Sequence, residues 1–172
     1  IQGLIIPITA VSVQAAEFRV PLMKQAPTID GKIEPDEWSV SAGFDGFARY
    51  RGEGRLGQRR AQCFVGATEK TIYIAIRTQL PDEGQLLTRI TSDSLRVVYD
   101  DSLEVYVCPT PDSAEKIDYQ FIANSAGKYG YNLHLSGGAK EDASWRGNWQ
   151  NASSQHDGWW DFECAIPVES MG

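Results

Sequence analysis

Thr71-Ile-Tyr-Ile-Ala-Ile-Arg77 decides how this chain folds. Its alternation puts Ile72, Ile74 and Ile76 on one face, the period of two that belongs to a strand and not the 3.6-residue period of a helix. Leu103, Val105 and Val107 repeat the pattern. Further strand-like runs fall at 61–68, 118–124, 129–135, 149–153 and 160–166, between clusters of Gly, Pro, Asn and Asp. No stretch of a dozen residues keeps apolar positions at helical spacing. A turn of helix is expected within 85–95, and a single turn at 35–38 with Pro35 near its start. Many short strands without helical crossovers predict an all-β chain, an antiparallel β-sandwich.

The 172 residues fit one globular domain with a sizeable core. A formal net charge of −7 excludes a nucleic-acid partner, whose phosphates are bound mainly by Lys and Arg. The one local exception, Arg49 to Arg60, is interrupted by Gly52, Gly54 and Gly57 and reads as a solvated loop. Gly3 to Val13 is apolar and ends in Val13-Gln-Ala15, with small residues where a signal peptidase accepts them. Residues 1–16 are therefore expected to be the back half of a secretory signal peptide. The run is too short, and too broken by Pro7, to span a bilayer. Export would place residues 17–172 in a periplasm or outside the cell, with no membrane span in the mature chain. Cys63, Cys108 and Cys164 each sit in a strand-like run, with no CxxC spacing and no His nearby, so neither zinc nor thiol redox chemistry is supported. Buried free thiols or one cross-sheet disulfide both fit.

Four stretches go further: Asp30-Gly-Lys-Ile-Glu-Pro-Asp-Glu-Trp38, Asp101-Ser-Leu-Glu-Val-Tyr106, Tyr119-Gln-Phe-Ile-Ala-Asn124 and Trp160-Asp-Phe-Glu-Cys-Ala-Ile-Pro167. In order and spacing they resemble family 9 carbohydrate-binding modules and their DOMON-like relatives, from about Ala26 onward. The resemblance implies an immunoglobulin-like or jelly-roll-like sandwich in which Trp38 packs into the core and Glu104 hydrogen-bonds a sugar hydroxyl. Alternation agrees that Glu104 faces away from Leu103 and Val105. A pyranose ring presents an apolar C–H face for an aromatic ring and a rim of hydroxyls for carboxylates, amides and guanidinium groups. The expected ligand-binding residues are thus Glu104, Tyr99, Asp101, Trp145, Gln120, Asn124 and Arg96. Trp149 and Trp160 occupy core-like places in the family pattern.

The chain also departs from that pattern. Val98 stands where the best-known sugar binders carry a clamp Trp, Ile122 replaces a basic residue, and relatives continue past Ile166-Pro-Val-Glu-Ser-Met-Gly172 into further strands. The expectation is an accessory domain of a larger polysaccharide-acting or cell-surface protein, with a poly- or oligosaccharide partner, further domains following, and no required cofactor. Structural Ca²⁺ is the ion to expect, with Asp30, Glu34 and Asp36 as its candidate ligands. A glycosidase would need two opposed carboxylates in recognisable catalytic segments, and only His134 and His156 are present for His-based chemistry. The resemblance leaves two alternatives: a haem b domain, for which Met23 and His134 are the reasonable axial pair, and a structural or protein-interaction sandwich with a decayed sugar site.

Overall fold

Residues 19–48, 55–136 and 138–172 are described by the computed structural model. The expected signal peptide at 1–16 and positions 49–54 of the Arg-rich stretch lie outside the described residues. The described chain forms two antiparallel sheets. One has five strands in the order β1 (Ala42–Asp45), β2 (Ala61–Ala67), β3 (Thr71–Gln79), β9 (Trp159–Pro167) and β8 (Gln150–His156). The other has four, in the order β4 (Ser102–Val107), β5 (Ile117–Asn124), β6 (Tyr129–Leu135) and β7 (Lys140–Asp142). The expected all-β sandwich is therefore what forms. Among the described residues no helix is long and apolar enough to cross a membrane.

The stretch around Ile74 is the central β3, paired with β2 on one side and β9 on the other. Strands β8 and β9 join through Asp157-Gly158, both at positive φ (48° and 82°), the backbone that a two-residue hairpin with right-handed twist requires. Two short edge strands, β1 and β7, have no apolar alternation in sequence and exist because an ordered neighbour supplies their hydrogen-bond partners. The expected helical turn within 85–95 does not form there. A 3₁₀ turn occupies Leu95–Tyr99 instead, because Val97 is wholly buried at that point and fixes which residues curl.

Ile74, Phe162, Cys164 and Ile166 point inward from the larger sheet and meet Val105, Tyr119, Phe121 and Ala123 from the smaller one. Trp149 bridges the layers, with ring centroids 5.3 Å from Phe121 and 6.3 Å from Phe162. Burying each large side chain contributes about 1.5–3 kcal/mol, so this aromatic contact is a main source of cohesion. All three cysteines are free, and Cys63 and Cys164 are buried. Burial pushes the Cys63 thiol up to about 11 and that of Cys164 higher still, which keeps both protonated and unreactive.

A second apolar cluster lies on the outer face of the five-stranded sheet, where Met23, Ile33 and Trp38 cover Tyr73, Ala75 and Ala165. Two buried carboxylates of β9 fasten this cover. Glu163 accepts hydrogen bonds from Trp38 Nε1 at 2.9 Å and from the Gly31 and Asp30 amides at 2.9 and 3.2 Å. Asp161 is gripped by Arg77, with Nε and Nη2 at 2.7 and 2.5 Å, and lies 2.9 Å from His156 Nε2 and 3.3 Å from the Ile33 amide. Gly31 is required here twice over: its φ is +85°, and a Cβ would sit 2.7 Å from the Ser153 backbone.

Candidate functional site

Alternation on β4, β5 and β6 sends Glu104, Tyr106, Gln120, Asn132 and His134 to the outer face of the four-stranded sheet, opposite the core positions. Register sets Tyr106 beside Gln120, and Gln120 beside Asn132. The 3₁₀ turn Leu95–Tyr99 packs on β4, β5 and β6 and forms a wall at one end of this face. Gly130 lets the wall come close, since a Cβ there would meet Ser94 O at 2.8 Å.

The floor is a connected polar set. Gln120, only 6% exposed, donates through Nε2 to Glu104 Oε2 at 2.6 Å and to the Tyr106 hydroxyl at 2.5 Å. Tyr106 in turn donates to Glu104 Oε2 at 3.0 Å. With its nitrogen so committed, Gln120 presents Oε1 to His134 Nε2 at 2.7 Å, which assigns the imidazole proton to Nε2. Burial, then the charge of Glu104, pushes the Tyr106 phenol up to about 12, so it remains a donor at neutral pH. Asn132 is 5% exposed; its Nδ2 reaches Glu141 at 3.4 Å and its Oδ1 has no donor. Such a set is preorganised: each polar atom has a fixed direction before any ligand arrives.

The expected site residues divide into three groups. Glu104 and Gln120 are on the floor, and Arg96 and Tyr99 are exposed on the wall, Tyr99 by 69%. Asp101 and Asn124 instead hold the wall in place. Asp101 Oδ2 accepts the Leu87 amide at 2.7 Å. Asn124, fully buried, donates to Ile90 O and to Asp100 Oδ2 and accepts the Ala126 and Lys128 amides. These bonds use the polar groups of Asn124, so it does not face a ligand as expected. Asp100 itself is held below the usual carboxylate range: burial pushes it up, but amides of Ile90 and Arg89 and the Asn124 side chain outweigh that. Trp145, expected to stack on ligand, is half-buried and packs its indole against Tyr119, Phe121 and Tyr131 at 5.1–5.7 Å. The inner aromatic cluster takes the ring that was expected to meet the ligand.

Tyr106 and His134 are the site residues that sequence reasoning missed. The signal was available, because Tyr106 stands two residues from Glu104 on one strand and must share its face.

Asp30, Glu34 and Asp36 do not make a calcium site. Asp30 Oδ1 caps the Lys32 amide at 2.9 Å, and among the described residues no three Asp, Glu, His or Cys side chains gather around a common point. The haem alternative fails on placement. Met23 packs on the outer face of the five-stranded sheet against Gly66, and His134 sits on the outer face of the other sheet, bonded to Gln120.

No protein-family profile matches the chain, and no curated protein sequence matches it. Solved structures do. A family 9 carbohydrate-binding module from Caldicellulosiruptor kristjanssonii in complex with cellotriose superposes with a TM-score of 0.58 at 16% identity, covering 88% of this chain and 68% of that one. The module from the same organism in complex with glucose gives 0.56 at 15% identity, covering 86% and 67%. A candidate carbohydrate-binding protein from Bacteroides uniformis gives 0.61 at 14% identity, covering 87% and 71%. At these identities the likeness speaks to architecture: the chain has the sandwich fold of family 9 carbohydrate-binding modules.

Proposed function

We propose that this domain recognises an oligosaccharide on the open face of the four-stranded sheet and carries out no bond making or breaking there. The observation that carries the reading is the coupled set of Glu104, Tyr106, Gln120 and His134, held at fixed spacing on an exposed strand surface. Sugar hydroxyls donate to the exposed carboxylate of Glu104. Tyr99 and Tyr106, 69% and 56% exposed, supply ring surface for the C–H face in place of the clamp Trp whose position Val98 occupies. The cellotriose and glucose complexes of modules with the same fold support a glucose-based oligosaccharide as the ligand class. An open site of this kind gives an affinity on the order of 10 μM to 1 mM. The domain then serves as an accessory unit of an exported polysaccharide-acting or cell-surface protein.

Calorimetric titration of the full chain with glucose, cellobiose and cellotriose tests this. The wild-type protein is expected to bind at least one of them, and Glu104→Ala to weaken binding about tenfold with an unchanged circular-dichroism spectrum. A folded wild-type protein that binds none of the neutral sugars ends the proposal. Unchanged affinity in Glu104→Ala removes that residue from the site.

A further inference from the structure

The five-stranded sheet carries a separate cleft, with a volume of about 530 Å³, where the β1–β2 hairpin extends beyond the sheet. One rim is Asp45 to Phe47, the other Arg59 to Gln62, and the Gly57 amide ties the arms together by donating to Phe47 O at 2.7 Å. Trp159 closes the cleft from β9. It alternates with Trp160, whose ring is in the core, so the Trp159 indole faces outward and stays partly exposed.

The lining has a definite chemistry. The arginine ion pairs among the described residues are those of Arg77 with Asp161 and Arg89 with Asp100, so Arg59 and Arg60 have no carboxylate partner among the described residues. The cleft sets them beside an indole face, with Asp45 as its single carboxylate and Gln62 as an amide. A guanidinium fork matches a planar carboxylate in two parallel hydrogen bonds, and an indole face accepts the C–H side of a sugar ring.

We propose that this cleft is a second glycan site, one that takes a sugar bearing a carboxylate, as in a uronate-containing oligosaccharide. The pyranose stacks on Trp159, its carboxylate is held by Arg59 and Arg60, and Gln62 and Asp45 bond its hydroxyls. The site uses no residue of the Glu104 face and lies on the other sheet. A domain with one site on each sheet engages two chain segments at once, which raises avidity without any new contact.

The test is calorimetric titration of the full chain with tetragalacturonate, and with cellotetraose as the neutral control, at low and raised salt. Tetragalacturonate is expected to bind wild-type protein and Glu104→Ala alike, to bind less tightly as salt rises, and to lose about tenfold or more in affinity to the double variant Arg59→Ala/Arg60→Ala. Trp159→Ala is expected to weaken it as well. Both arginines are exposed, so the double variant keeps the wild-type denaturation midpoint. Absence of tetragalacturonate binding, binding retained by the double variant, or binding lost in Glu104→Ala would each overturn the proposal. Failure of cellotetraose to bind bears only on the Glu104 face.

Discussion

The two sheets carry carboxylates on their outer faces in the same way, yet put them to opposite uses. On β9, Asp161 and Glu163 are wholly buried, because the segment through Ile33 and Trp38 lies over them and supplies the donors to Glu163 and one of those to Asp161. On β4, Glu104 is exposed, and its partners Gln120 and Tyr106 come from the sheet itself. A strand's alternation decides which face a carboxylate takes, and the covering segment decides whether it becomes an anchor or a ligand group.

The largest break in this contrast is expected from Glu163→Ala. It leaves Trp38 Nε1 and the Gly31 and Asp30 amides without their acceptor beneath the cover and opens a cavity, a cost of about 4 kcal/mol. Urea denaturation measures it, and a loss below about 1 kcal/mol would show that the cover does not depend on this residue. Arg77→Met comes next at about 3 kcal/mol, since it strands the buried carboxylate of Asp161 with only His156 and the Ile33 amide.

Acidity separates the two anchors. Burial pushes Asp161 up, but the bonds from Arg77, His156 and Ile33 outweigh it and hold the group below its ordinary 3.8. Its stabilising contribution is therefore fully present above pH 3.8 and is lost as pH falls through the lower folded value. Glu163 runs the other way: burial holds it above its ordinary 4.5 against the pull of Trp38, Gly31 and Asp30. Its contribution is fully present below pH 4.5 and declines as pH rises through the raised value. Denaturation midpoints against pH are expected to show the cost of Asp161→Asn falling away as pH drops below 3.8, and that of Glu163→Gln shrinking as pH rises above 4.5. Parallel curves for the two variants would contradict this assignment. The smallest effect belongs to the open face, where Glu104→Ala is expected to change stability by less than about 0.5 kcal/mol. A loss as large as that of Arg77→Met would make Glu104 an anchor as well, and the contrast between the faces would collapse.

Much of this was legible before the structure. The strands at 61–68, 118–124, 129–135 and 160–166 lie within a residue or two of β2, β5, β6 and β9, because each repeats an apolar position every second residue. Trp38, Trp149 and Trp160 are in the interior as expected. The misses share one cause. Strands β1 and β7 borrow their order from neighbours. Asn124 and Trp145 have the residue types of a sugar site, but buried partners far along the chain capture them. Residue type says what a side chain can bond, and only packing says which of those bonds is already made.

Sequence by itself determined the layer architecture and the direction in which Glu104 points, since both follow from a two-residue period that acts locally. Tertiary structure alone decided that Asp161 and Glu163 are sealed beneath residues 30–38, that Tyr106, Gln120 and His134 join Glu104 in one network, and that Arg59 and Arg60 meet Trp159 across a cleft. Each of these joins residues from separate strands or connections, and such pairings are set by register and burial, which no local pattern encodes.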